Sequence, residues 1–173
     1  MEHDMLFYFS KSADKAAGKG SHEHVLRPYD YSELNAIKDW RKILSNFYVA
    51  PFAYKGKQWN TVEHAFQSAK IEMVDEKKAE WFSLDSGHPI GRGDGLIARK
   101  NRKLVMLDGE TIRNWDNIKS EIMQDILYAK FSQVALAKKV LLATNQSILL
   151  HGTRGVPPQR QIELEQVRER LRV

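Results

Sequence analysis

Between positions 61 and 73 the apolar residues Val62, Ala65, Phe66, Ala69 and Met73 recur at i, i+3, i+4, i+7 and i+11. That spacing predicts a helix buried along one side, and such a helix needs other elements laid against it. The chain supplies them mostly as further helices. Residues 31–44 read as a helix with Ser32 as N-cap and Leu34, Ile37, Ile43 and Leu44 on one side. Residues 75–84 read as another, broken by Gly87 and Pro89, and the glycine-rich turn 91–95 leads into a basic helix ending at Lys103. Residues 116–131, capped near Asn114, carry Ile118, Ile122, Ile126 and Phe131 on an apolar face. Segments 136–143 and 161–171 complete the helical set.

Strands are few and short. Residues 6–9 form a first one, followed by a small, polar, lysine-rich loop over 12–21. Segments 48–54 and 55–59 suggest a hairpin about Lys55-Gly56, and a short stretch at 148–150 precedes a loop over 152–158. Strand and helix do not alternate, so a doubly wound sheet has no support. The expected fold class is α+β, predominantly helical with a few short strands, in one domain spanning 1–173 with an extended N-terminal segment, 1–30.

A chain of 173 residues is long enough to bury a core without a disulfide or a structural metal. It has no cysteine, which excludes thiolate zinc sites and cysteine catalysis and fits a reducing, cytoplasmic location. No basic leader precedes the apolar run 5–9, and no run approaches the ~18 residues of a membrane span. A formal net charge of +5 favours anionic partners, phosphorylated metabolites or nucleic acid, without choosing between them.

The six histidines are scattered, and those of His22-Glu23-His24, in the polar N-terminal segment, read as incidental surface histidines, so no metal is expected. Walker and GxSxG motifs are absent. Segment 91–95 lacks the third glycine of a dinucleotide fingerprint and reads as a plain turn, although a turn there could present backbone N–H groups and Arg92 to a phosphate.

The informative stretch is 44–70. Glu63, Phe66, Gln67 and Lys70 fall at i, i+3, i+4 and i+7 of the central helix, with Glu63 and Lys70 separated by ~10 Å of axial rise. A carboxylate and an ammonium flanked by Trp59, Phe47 and Tyr48 suit a nucleoside, the base stacking while the polar groups address the ribose. The competing reading is structural. Asn60-x-x-Glu63 has the form of a capping box, in which Glu63 would bind the backbone N–H of the cap residue.

Leu44-Ser45-Asn46-Phe47, Pro51-Phe52 and Trp59-x-Thr61-Val62-Glu63-His64-Ala65-Phe66-Gln67-x-Ala69-Lys70 resemble the NADAR (YbiA-like) family signature. Arg113-Asn114-Trp115-Asp116, Lys119, Met123, Ala129-Lys130-Phe131-x-Gln133 and Leu141-Leu142-Ala143-Thr144 match in order, so the similarity runs over about 31–150. The resemblance implies a compact, mainly helical α+β fold and a cofactor-free N-glycosidase that cleaves a ribose C1–N bond. Its substrate would be ADP-ribosylated guanine in nucleic acid or a ribosylamino-pyrimidine phosphate of early riboflavin synthesis. Carried over by position, Glu63 is the catalytic carboxylate and Lys70 the lysine that attacks or electrostatically holds C1. Asn46, Phe47, Trp59, Phe66 and Trp115 would line the pocket, joined by Asp116 and Lys130. The sequence departs from the pattern at 150–160, where many relatives carry a WGxG-like segment, and in its longer N-terminus. Lys11 and Arg154 from those two regions are candidate phosphate contacts. The alternative from another class is a non-catalytic module that binds ADP-ribose or nucleic acid. Neither reading requires a membrane or an obligate protein partner.

Overall fold

The computed structural model describes residues 3–173. Met1 and Glu2, the start of the expected N-terminal segment, lie outside the described residues. The elements in chain order are β1 (Met5–Tyr8), α1 (Ser32–Asn35), α2 (Trp40–Leu44), β2 (Phe52–Tyr54), β3 (Lys57–Trp59) and α3 (Val62–Glu72). There follow α4 (Glu76–Glu80), α5 (Pro89–Arg92), α6 (Gly95–Lys100), α7 (Gly109–Gln133), α8 (Ala135–Ala143), β4 (Ile148–Thr153), β5 (Val156–Arg160) and α9 (Ile162–Leu171). The fold is α+β and mainly helical, as expected. The chain divides into two compact units, one built from Met1–Ser45 with Ala135–Val173 and the other from Asn46–Val134.

The first unit holds a three-stranded sheet in the order β1-β4-β5, with β1 parallel to β4 and β5 antiparallel to it. Residues 152–158, expected as a loop, instead form the end of a hairpin whose turn at Arg154-Gly155 uses a positive φ of 78° at the glycine. The prolines at 157 and 158 suggested a loop, but β5 is an edge strand, where a missing N–H donor is tolerated. The helix expected over 31–44 is broken into α1 and α2 by Asp39, at φ 56°. In an unbroken helix Leu34 and Ile43, nine positions apart, would face about opposite sides. The break lets Leu34, Trp40, Ile43 and Leu44 all become buried. Ser32 does not cap; it is the first residue of α1.

The N-terminal loop is held by one buried ion pair. Glu23 accepts from the N–H groups of Phe7, Gly18 and Gly20 at 3.0, 3.0 and 2.9 Å. It also accepts from Arg41 Nε and Nη2 at 3.0 and 2.7 Å. Arg41 in turn donates to the carbonyls of Ala13, Lys15 and Ala16. Five donors on one carboxylate tie residues 7–24 to α2.

The second unit opens with the expected hairpin. Lys55 and Gly56 both have positive φ, 50° and 75°, the geometry of the tight turn that matches strand twist. The strands are shorter than the predicted segments, three residues each. Gln133, at the end of α7, clasps Ala53 of β2, accepting from its N–H at 2.8 Å and donating to its carbonyl at 2.7 Å. Helix α7 starts at Gly109, about two turns before the expected start, because Asp108 caps it by accepting from Thr111 N–H at 2.8 Å. Ile118, expected on the buried face, is exposed, while Trp115, Ile126, Leu127 and Phe131 are buried. The predicted 75–84 helix ends at Glu80 with Asp75 as cap, and the basic helix ends at Lys100.

Helix α3 is the centre of this unit, packing against α4, α6 and α7. Val62, Ala65, Gln67, Ser68 and Ile71 are buried, whereas Met73 of the expected stripe lies past the helix end and is exposed. Ser68 Oγ donates to Ala79 O at 2.8 Å and fixes α4. Gly91 lets α5 approach the 81–83 backbone, since a Cβ there would stand 2.0 Å from Ser83 O.

Candidate active site

The first turn of α3 determines how Glu63 can be used. Its N-cap is Thr61, whose Oγ1 accepts from His64 N–H at 3.1 Å, so the third helical position is His64 rather than Glu63. The His64 ring is fully accounted for. Nε2 lies 2.8 Å from the Ile90 carbonyl and must donate to it, so in the neutral ring Nδ1 accepts from the Thr61 hydroxyl at 2.7 Å. Burial pushes the His64 pKa down, which keeps it in that neutral form. The Asn60 carboxamide donates to Arg92 O and Gly93 O at 3.2 and 3.1 Å. Glu63 N–H donates to Asn46 O at 3.1 Å. The capping-box reading therefore fails by one residue, and the Glu63 carboxylate has no capping duty.

That carboxylate is 5% exposed. Its Oε1 accepts from Gln67 Nε2 at 2.8 Å, one helical turn on, and stands 3.7 Å from Arg99 Nη1 of α6. Burial pushes its pKa above the usual carboxylate range, opposed by the Gln67 amide and by the Arg99 and Arg102 guanidinium groups. A carboxyl under such opposed influences, burial against nearby donors and cations, is the kind of group from which a general acid or base is built.

Aromatic residues gather at the same helix. Phe66 meets Trp115 of α7 with ring centroids 5.1 Å apart and planes inclined by 55°, a tilted pair that docks α7 onto α3. Phe47 lies under the start of α6, where a Cβ on Gly95 would come within 2.4 Å of Phe47 Cα, so glycine permits the approach. Trp59 is buried and donates through Nε1 to Tyr54 O at 2.9 Å, which places its indole in the β2–β3 hairpin. Lys70, half-buried on the last turn of α3, borders a depression of about 530 Å³ also lined by Arg102, Lys103, Val105, Met106 and Ile112. Its walls are cationic and apolar together, a combination that suits a phosphate beside a base.

Lys130 is 1% exposed near the end of α7, with Nζ 4.7 Å from the centroid of the Phe131 ring and 5.7 Å from that of Tyr48. Burial pulls its pKa down to about 7. Asp116 is exposed and pairs with Lys119 at 2.9 Å on the α7 surface. Thus Asn46, Phe47, Glu63, Phe66, Lys70 and Trp115 belong to α3 and the segments packed on it. Asp116 faces solvent, Lys130 sits at the other end of α7, and Lys11 and Arg154 belong to the first unit. Arg99 and Arg102 were not foreseen. Nothing local marks them, because their proximity to Glu63 depends on α6 packing against α3. Among the described residues no group of His, Asp and Glu could hold a metal ion, and no helix is long and apolar enough to cross a membrane.

Residues 35–154 match the NADAR domain family, a span close to that of the motifs themselves. N-glycosidase YbiA of Shigella boydii serotype 4 (strain Sb227) is 34% identical over 131 residues, covering 76% of this chain and 74% of that protein. N-glycosidase YbiA of Escherichia coli (strain K12) is 33% identical over 131 residues, with the same coverage of 76% and 74%. The NMR structure of E. coli YbiA is similar with a TM-score of 0.59 at 25% identity, covering 99% of this chain and 84% of that one. With a family model over more than half its length and relatives above 30% identity, the chain belongs to the NADAR family and is a YbiA-like member of it.

Proposed function

We propose that this chain is an N-glycosidase that hydrolyses the bond between ribose C1 and nitrogen in a phosphorylated N-riboside, with Glu63 as its catalytic carboxylate. The observation that carries the reading is the state of Glu63: buried, relieved of any capping role, and balanced between desolvation and the Arg99 charge. A carboxylate kept from water at such a cost is hard to explain by stability, since an apolar residue would fill the space more favourably. Membership in a family whose relatives bear the name N-glycosidase supports the same reaction.

In the proposed reaction the C1–N bond breaks, water supplies a hydroxyl to C1, and its proton ends on the departing nitrogen. As nitrogen leaves, C1 acquires oxocarbenium character, which the Glu63 carboxylate stabilises while it orients the water. Lys70 serves on the same helix, either holding the sugar electrostatically or attacking C1 as nitrogen departs to form a Schiff base that water later opens. The Phe66–Trp115 pair and Phe47 offer walls for a base, and Arg99, Arg102 and Lys103 offer charge for phosphate. The two substrates proposed are ADP-ribosylated guanine in nucleic acid and a ribosylamino-pyrimidine phosphate. Lys11 and Arg154 enter as further phosphate contacts, and an unchanged KM in Lys11→Ala removes Lys11 from the proposal.

The test is product release from each substrate by wild type and Glu63→Gln. Release by wild type, reduced at least 100-fold in the variant, is expected, a loss of ~3 kcal/mol at the barrier. Saturable binding without product from either substrate, weakening with salt, returns the chain to the binding-module reading.

A further inference from the structure

Gln67 has an amide that the fold itself does not need. It is 2% exposed, its Nε2 is committed to Glu63 Oε1 at 2.8 Å, and its Oε1 is buried without a hydrogen-bond partner. A buried acceptor without a donor destabilises the folded state, and an apolar side chain of the same shape would remove that penalty. Neighbouring buried groups show the contrast: His64 and Ser68, on the same helix, each bond the backbone of another segment and so fasten elements together. Gln67 fastens only Glu63.

We propose that Gln67 is the positioning residue of Glu63, its N–H fixing the direction in which the carboxylate faces the sugar. The inference rests on the reading of Glu63 as catalytic. Arg99 cannot do this work alone. It is half-exposed and 3.7 Å away, a distance that attracts without setting an orientation. The amide lies one helical turn from Glu63 on the same rigid element, so the pair moves as a unit. Donation to the carboxylate also favours its charged form. The other charges acting on Glu63 are Arg99 of α6 and Arg102 just beyond it. Of the remaining charged residues on elements around α3, Lys78 of α4 bonds Leu104 O, and Asp116 and Lys119 of α7 pair with each other.

The experiment is Gln67→Met, which keeps length and bulk but donates nothing. The expected result is a Tm equal to or above wild type, with kcat reduced about 10- to 100-fold and KM changed little. The acid limb of the kcat profile moves to higher pH, as does the Glu63 titration followed by carboxyl NMR in the resting protein. In a Glu63→Gln background the same substitution has no further effect on kcat, because the two residues act through one group. Gln67→Glu keeps the shape if Met is not tolerated, and it must shift the Glu63 titration in the same direction. An unmoved titration, or a kcat loss that multiplies with that of Glu63→Gln, overturns the proposal. If wild type releases no product while the titration still moves, the glycosidase reading fails and the positioning contact stands.

Discussion

Each unit of this protein contains a buried glutamate, and the two are treated in opposite ways. In the first unit Glu23 accepts five hydrogen bonds, three from backbone N–H groups and two from Arg41, itself buried. In the second, Glu63 has one amide donor and a guanidinium at 3.7 Å that is 50% exposed. Burial raises the pKa of Glu63 and no full set of donors counters it. A carboxylate saturated with donors is a structural clasp, because every lone pair is engaged in holding a loop. One left undersupplied is available for a substrate and a proton.

The comparison can be broken by mutation. The largest expected effect is on stability at the clasp. Glu23→Ala leaves Arg41 buried without its partner and three backbone donors unmatched, so a loss of roughly 3–5 kcal/mol is expected in denaturant unfolding. Glu63→Gln, at the same resolution, should not lower the Tm at neutral pH. Because the folded-state pKa of Glu63 is raised, its contribution to stability is present in acid and lost as pH rises through that value, so removing the charge costs nothing at pH 7. A Tm that falls in Glu63→Gln as far as in Glu23→Ala would erase the distinction.

Lys130 sharpens it with the opposite charge. Its folded pKa of about 7 lies below the ordinary lysine value of 10.5, so between those values the unfolded chain binds more protons and stability rises with pH. From pH 7 to 8.5 wild type should gain up to about 2 kcal/mol over Lys130→Met, since a full proton difference is worth ~1.4 kcal/mol per pH unit. A flat difference across that range would mean that Lys130 is charged in place. The smallest effect belongs to Asp116→Asn, where an exposed ion pair is lost and the stability change should stay under ~0.5 kcal/mol. If turnover nevertheless collapses there, Asp116 contacts substrate as the family resemblance implies.

Much of the second unit is legible in its residues alone. Lys55-Gly56 announces a hairpin because few residue pairs tolerate positive φ at both positions. The α3 periodicity was sound to within a residue at its start. Elsewhere the signals were too local. The stripe over 31–44 reads as one helix until Leu34 and Ile43 must both be buried, and then the chain breaks at Asp39. Asp108-Gly109 looks like loop composition, yet an aspartate before a glycine is also a sound way to begin a helix.

Glu63 marks the boundary between the two kinds of information. Its presence, its place one turn before Gln67 and two before Lys70, and the motif that ties it to a family are all written in consecutive residues, because helical spacing is a property of the backbone. Which residue caps α3, and therefore whether Glu63 is free for chemistry, turned on Thr61 accepting from His64 N–H, while the Asn60 amide bonds the carbonyls of Arg92 and Gly93. Its Arg99 partner came from α6 lying against α3, a contact between residues 36 positions apart in the chain. Desolvation and ion pairing depend on what surrounds a group in three dimensions, so only the packed chain could decide them.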